Sequence, residues 1–242
     1  MSRQSLKNSI IIAAAVIATS CTMREYDVGD GTYSYYTADM VTFTVGKDSA
    51  ASSGIMDNDK TIQLTKKINL RSLINNNDAT QGKYVRTMFH YNKQNPDEQQ
   101  SDTVKADPIG VERILLPKIV LADTLKEKPK TDPLTLNSSW MSANGKFLNI
   151  QFSVKTSTTD EQTPQTIGLV CDSITRRNIN NEERSIVHLR MTHDQKDIPQ
   201  YYSVKGFLCI SREYLQTLCG GINPTLQLTI NTYDGDKTIT AF

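Results

Sequence analysis

Cys21 is the position whose neighbours most clearly define a chemistry. It follows Ala18-Thr19-Ser20, and ahead of it stand Arg3, Lys7 and the apolar run from Ile10 to Ala18. A positive n-region, a short apolar h-region and small residues before a cut are the grammar of a secretory signal, here residues 1–20. A cysteine directly after that cut is the acceptor in a bacterial lipobox, although Ala18 stands where leucine is commoner. The chemistry would place a diacylglycerol on the Cys21 sulfur through a thioether and an acyl chain on its amino group. The apolar run is shorter than the roughly 20 residues of a spanning helix, so the expectation is a chain anchored by lipid. At about 0.8 kcal/mol per buried methylene, one acyl chain is a marginal anchor and two or more a lasting one. The competing reading is a plain secreted protein in which Cys21 merely follows the cut.

Elsewhere the reactive residue types do not assemble into a catalytic pattern. His188 and His193 are five apart, which on a strand points their rings to opposite faces, and no third ligand at zinc spacing lies near them. His90 stands between Phe89 and Tyr91 as a strand residue. There is no Gly-x-Ser-x-Gly elbow, no transferable Cys–His signature and no phosphate loop. Glu182 and Glu183 sit in a charged hairpin tip. The expectation is a protein that is not an enzyme and holds no metal or cofactor. Lys and Arg number 27 against 26 Asp and Glu, so no field recruits nucleic acid or an anionic membrane by charge. Besides Cys21 there are Cys171, Cys209 and Cys219, which allow at most one internal bridge. Cys171 with Cys209 is the candidate pair, and three buried free thiols the alternative.

Aromatic residues are the better hint of contact. Tyr33, Tyr35 and Tyr36 cluster near the start, and Tyr201 and Tyr202 follow Pro199. Exposed rings of this kind stack on sugars or anchor protein interfaces. Tyr35, Tyr36, Tyr201 and Tyr202 are therefore the candidate contacts for a ligand or partner. Trp140, the single tryptophan, is expected in the core of the second half. Asp48-Ser49-Ala50, Asp102-Thr103-Val104, Asp123-Thr124-Leu125 and Asp172-Ser173-Ile174 resemble the Asp-Ser/Thr-apolar O-glycosylation sequon of Bacteroidetes, with Thr103 and Thr124 the best-suited acceptors.

The elements that must position these residues are strands. Met40 to Val45, Thr61 to Thr65, Tyr84 to Tyr91 and Val111 to Leu116 alternate apolar and polar residues with β-branched types frequent, and Leu70 to Ile74 forms a short helical turn. From Leu121 to Trp140 the composition turns to Asp, Lys, Thr and Pro, which disfavours a central strand. Beyond it, Asn144-Gly145 signals a hairpin leading into Phe147 to Val154. Gln165 to Cys171, Ser185 to Thr192, Ser203 to Ile210, Thr225 to Thr232 and Lys237 to Phe242 follow as strands. Arg212 to Leu218 reads as a helical turn stopped by Gly220-Gly221. Short strands with turns between them and little helix predict an all-β protein, a small OB-like barrel followed by an antiparallel β-sandwich. The expected layout is a lipidated tether over 21–38, a barrel domain over 39–122, a linker over 123–137 and a sandwich over 138–242.

Trp140, Gly145-Lys146-Phe147-Leu148-Asn149-Ile150-Gln151-Phe152, Ile167-Gly168-Leu169-Val170, Leu189-Arg190-Met191-Thr192-His193-Asp194 and Tyr233-Asp234-Gly235 together resemble the C-terminal half of the NigD-like lipoproteins of Bacteroidetes. Asp39 to Val45, Gly82-Lys83-Tyr84-Val85-Arg86 and Ile114-Leu115-Leu116 are similar to the family's OB-like first half. The resemblance covers nearly the whole mature chain. It implies a lipid-anchored, two-domain β protein in which Trp140, Arg190 and His193 are structural positions. It implies no known chemistry, because the family's link to immunity or secretion is an inference from gene neighbourhood. Family members often carry an acidic run after the lipidated cysteine, where this chain has Thr22-Met23-Arg24-Glu25-Tyr26-Asp27. The side of the outer membrane therefore stays open. Two functions follow: an accessory or immunity lipoprotein binding a peptide or envelope protein, and alternatively a glycan-binding lipoprotein of a polysaccharide-uptake system.

Overall fold

Period-two alternation becomes strand almost everywhere in the computed structural model, which describes residues 35–74, 83–94, 101–157, 165–179 and 182–242. The signal, Cys21, Tyr33 and most of the tether lie outside the described residues. Five strands form the first sheet: β1 (Tyr36–Thr44), β2 (Ala50–Met56), β3 (Thr61–Asn69), β4 (Tyr84–Lys93) and β5 (Thr103–Arg113). They close into a barrel in the order β1-β2-β3-β5-β4, with β3 and β5 parallel and β1 returning against β4. This is the expected OB-like arrangement. Val41, Phe43, Ile62, Val85, Phe89 and Tyr91 are buried inside it, and Phe89 lies edge-on to Phe43 and stacked with Tyr91.

The second half is a sandwich of two sheets. β7 (Thr135–Met141), β8 (Phe147–Thr156) and β11 (Tyr202–Ser211) form one, in the order β11-β8-β7. β6 (Ile119–Leu121), β9 (Thr166–Ile179), β10 (Glu182–Asp194), β12 (Asn223–Thr232) and β13 (Gly235–Ala241) form the other, in the order β13-β12-β10-β9-β6. This larger sheet is mixed, since β10 runs parallel to β12 and β6 parallel to β9. Leu148, Ile150, Phe152, Leu189, Leu208 and Leu228 fill the space between the sheets. The helix α1 (Arg212–Leu218) starts on Ser211, whose side chain accepts from the Tyr214 amide. It ends in a Schellman cap: the Gly221 amide bonds Gln216 and the Gly220 amide bonds Thr217, with Gly220 at the positive φ such a cap requires.

The stretch joining the two halves is woven into the sandwich. The Leu115 amide bonds the Phe207 carbonyl and the Cys209 amide bonds the Leu115 carbonyl, and β6 adds to the edge of β9. Leu134 is buried in the sandwich core. Cys171, Cys209 and Cys219 are free, buried thiols. Cys171 packs between the two sheets and Cys209 belongs to the cluster against the barrel, so the alternative without a bridge is the one realised.

Candidate functional site

The barrel meets the sandwich around a buried arginine. On β4, Val85, Thr87, Phe89 and Tyr91 are wholly buried, three of them in the barrel core, while Tyr84 and Met88 pack with Met40, Ile114, Leu116, Phe147 and Cys209 in a separate cluster. Arg86 has the parity of this outer face, and it is 1% exposed because the sandwich covers it. Its Nη2 lies 2.8 Å from Asp57 Oδ1 and donates to Asn149 Oδ1 at 2.9 Å. Its Nη1 donates to Thr42 Oγ1 at 3.1 Å and its Nε to Cys209 Sγ at 3.2 Å. The guanidinium also lies 3.8 Å from the centre of the Phe147 ring, a cation–π geometry. Asn149 completes the net by donating to Asp57 Oδ2 at 3.0 Å.

Five side chains thus accept hydrogen bonds from one buried cation, three from the barrel and two from the sandwich: Thr42, Asp57 and, at 3.5 Å from Nη2, the Met40 thioether, with Asn149 and Cys209. Burial pushes the Cys209 thiol up to about 11, with Arg86 pulling the other way. As a thiol it donates to Asn149 Oδ1 at 2.9 Å while accepting from Arg86. Burial opposes the charge on Arg86, and Cys209 and Asp57 more than offset it, so its pKa lies above the ordinary value. A second contact joins two turns nearby. Asn144 and Lys146, from the turn between β7 and β8, reach Asp59 in the turn between β2 and β3 at 3.1 and 2.7 Å, and these partners hold the Asp59 carboxyl below its usual range.

Beside this seam opens a pocket of about 340 Å³, lined by Asp39 and Met40 of β1, Met56, Asp57 and Asn58 at the end of β2, and Trp140 to Ala143. Trp140 pairs with Asn149 across β7 and β8, so it shares the face that meets the barrel, and it is 37% exposed. The core position expected for it is thereby corrected. It stands on an edge strand whose outer face the barrel leaves partly open. Inside the pocket wall the Tyr91 hydroxyl donates to Asp39 Oδ2 at 2.8 Å. Burial, then Asp39, push that phenol above its ordinary range, so it remains a donor.

The candidate tyrosines fall into two groups. Tyr35 and Tyr36 lie at the start of β1 and Tyr201 and Tyr202 at the start of β11, all exposed, Tyr201 most of all at 80%. No ring contact joins the two groups among the described residues. Tyr36 is held by His90: its hydroxyl lies 2.7 Å from Nδ1 with the rings stacked, and His90 Nε2 lies 3.1 Å from Glu112 Oε1.

His188 and His193 do face opposite ways. His188 sits on the outer face by Thr175, whereas His193 is 1% exposed, with Nδ1 at 3.1 Å from the Asp132 carbonyl and Nε2 at 2.9 Å from Gln165 Oε1. Arg190 lies on the outer face, with Nε and Nη2 on Asp172 Oδ2 at 3.1 and 2.8 Å. This pair lines a polar pocket of about 510 Å³ with Lys128, Thr131, Thr229, Asn231 and Asp236. Among the sequon residues, Thr103, Thr124 and Ser173 are exposed and Ser49 is half-buried.

Sequence reasoning missed the Arg86 cluster and the Trp140 pocket as sites. The available signal was a polar residue at the third position of each of two strands, Arg86 in β4 after Val85 and Asn149 in β8 between Leu148 and Ile150.

A barrel of OB order fastened to a two-sheet sandwich through a buried arginine, with an aromatic pocket at the join, defines a class of two-part β protein. Residues 118–242 match the model of the NigD-like C-terminal beta sandwich domain, and the chain belongs to that family, as its residues suggested. A NigD-like immunity protein from Bacteroides caccae shares the fold at 18% identity, with a TM-score of 0.54 over 85% of this chain and 91% of that one. A protein of unknown function (DUF1344) from Bacteroides vulgatus does so at 12% identity, with a TM-score of 0.56 over 86% and 90%. No curated protein sequence matches the chain. Among the described residues no helix is long and apolar enough to cross a membrane.

Proposed function

We propose that this protein is a lipid-anchored accessory protein of the cell envelope that binds a protein or peptide partner at the seam between barrel and sandwich. The observation that carries the reading is Trp140. The chain's single tryptophan is held partly open on a pocket wall with three methionines, and partly buried aromatic and thioether side chains are what protein interfaces use as anchors. Family membership and the signal ending at Cys21 support the envelope placement and the anchor. The exposed pair Tyr35 and Tyr36 on β1, the strand that also supplies Asp39 and Met40, would extend the contact, and Tyr201 and Tyr202 would form a second, separate contact. No step of this reading requires catalysis.

One observation favours the glycan alternative: Tyr201 is 80% exposed beside exposed Tyr202 and Val204. Against it, the outer face of β2 and β3, which OB folds use for oligosaccharides, presents Ser52, Ser53, Ile55, Gln63, Thr65 and Lys67 and so offers no ring to stack on a sugar. Affinity purification from detergent-solubilised envelopes, run beside a glycan array, tests the choice. The protein reading expects one recovered protein and a blank array; an array signal with no recovered protein would contradict it. The anchor is tested separately by Cys21→Ala and by globomycin. Each is expected to move the protein out of the membrane fraction, and unchanged processing and fractionation would refute the lipid.

A further inference from the structure

The chemistry of the seam pocket specifies more than an aromatic anchor. Two carboxylates line it, and their charges are met differently. Asp57 is neutralised by Arg86 at 2.8 Å and further satisfied by Asn149. Asp39 receives one hydrogen bond, from the neutral Tyr91 hydroxyl, and among the described residues no cation pairs with it. The pocket therefore carries one uncompensated negative charge, in a wall whose other members are the Trp140 ring, the Met40, Met56 and Met141 thioethers and small polar groups.

An indole face and a carboxylate attract the same kind of group from two sides. The ring quadrupole favours a cation over its face, and an ionised carboxylate makes its strongest hydrogen bonds to charged donors. The thioethers suit the aliphatic stem that carries such a charge. At about 340 Å³ the space lies near the small end of the roughly 300–1,000 Å³ range of ligand cavities. That size fits a single long side chain rather than a chain of sugars.

We infer that the pocket formed by Asp39, Met56, Trp140 and Met141 receives one basic side chain, arginine or lysine, of a partner peptide or protein. This rests on the binding function proposed above and names what the seam recognises. The partner's basic residue would pair with Asp39, lie over the indole and leave the Arg86–Asp57 pair undisturbed behind it.

Trp140 is the chain's own reporter, because no other tryptophan contributes to emission. The full-length protein in detergent is titrated with acetyl-Gly-Arg-Gly-amide and with its neutral counterpart, acetyl-Gly-citrulline-Gly-amide, and Trp140 fluorescence is followed. The arginine peptide is expected to give a saturable change at concentrations about tenfold lower than the citrulline peptide, the size of one charge-assisted hydrogen bond. Asp39→Asn, which keeps an acceptor for Tyr91, is expected to bring the two peptides level.

Equal responses in the wild-type protein overturn the inference without reference to any variant, as does a preference for arginine that survives Asp39→Asn. A response to maltose or another neutral sugar in place of the peptides overturns it as well. The envelope purification separates the two claims. If it recovers a partner while the arginine peptide shows no advantage, the pocket assignment fails and the binding function stands. If it recovers none while the arginine preference holds, the reverse is true.

Discussion

Arg86 shows how a single residue can decide whether two β structures behave as one. Its charge is taken out of water, and five neighbouring side chains and the Phe147 ring restore what water would have supplied. Removing one member of such a pair strands the other, so Arg86→Ala leaves Asp57, 19% exposed, beside an empty site. The expected loss is about 3 kcal/mol, toward the low end for broken buried pairs because Asp57 keeps some solvent. Arg86→Lys keeps the charge but forfeits the fork that reaches Cys209, Thr42 and Asn149, and should cost about 1–2 kcal/mol. Urea denaturation of the three proteins checks both values. Cys209 adds a pH dependence whose sign follows from its raised pKa. The unfolded thiol, near 9.0, loses its proton first, and the folded one holds it to about 11. The folded state therefore binds more protons across that interval, and stability falls as pH rises from about 9 to about 11. Cys209→Ala, though less stable throughout, should show a flatter fall there, and an identical slope in the two proteins would remove Cys209 from the account.

At the scale of elements, the alternation along β8 explains both what could be read in advance and what could not. Phe147 to Val154 alternates in sequence as a half-buried strand should, and it is a strand. Yet Phe147, Leu148, Asn149 and Ile150 are all buried, because one face meets the other sheet and the opposite face meets the barrel. Local pattern fixes parity, but it does not say that a distant element will cover the polar side. For the same reason the sequence pattern points Trp140 to a core and marks no site at Arg86. The strand β2, Ala50 to Met56, gave too weak a signal to be noticed, since Ala, Ser and Gly have little β propensity. Its composition has a packing cause at Gly54. A Cβ there would lie 2.6 Å from Val41 Cγ1 and 2.7 Å from Phe43 Cδ1, so at this one position β2 packs on the barrel core with no room for a side chain. Gly54→Ala should destabilise by about 2 kcal/mol through overpacking. Gly110→Ala in β5, where a Cβ meets nothing within 4 Å, should stay within about 0.5 kcal/mol. Thermal unfolding of the pair tests the contrast.

Across the whole molecule, the proposed recognition site falls at a junction. The barrel's β1 supplies Asp39 and Met40, the turn after β2 supplies Asp57, and the sandwich edge supplies Trp140 and Met141, so neither half forms the pocket alone. The fold class and the family were legible because strand grammar and motif order survive in sequence. The pocket was not, because it exists only where the two halves touch. The same reasoning gives the Arg86 net a second role: it fixes the walls of the pocket relative to each other, so loosening it should weaken binding as well as stability. The most direct measurement is site-specific photo-cross-linking in living cells, with a benzophenone amino acid introduced at Met141 in the pocket and, as control, at exposed Lys237 on β13. The account predicts a discrete cross-linked protein from position 141 and none from position 237. No adduct at 141, or the same adducts from both sites, would contradict it.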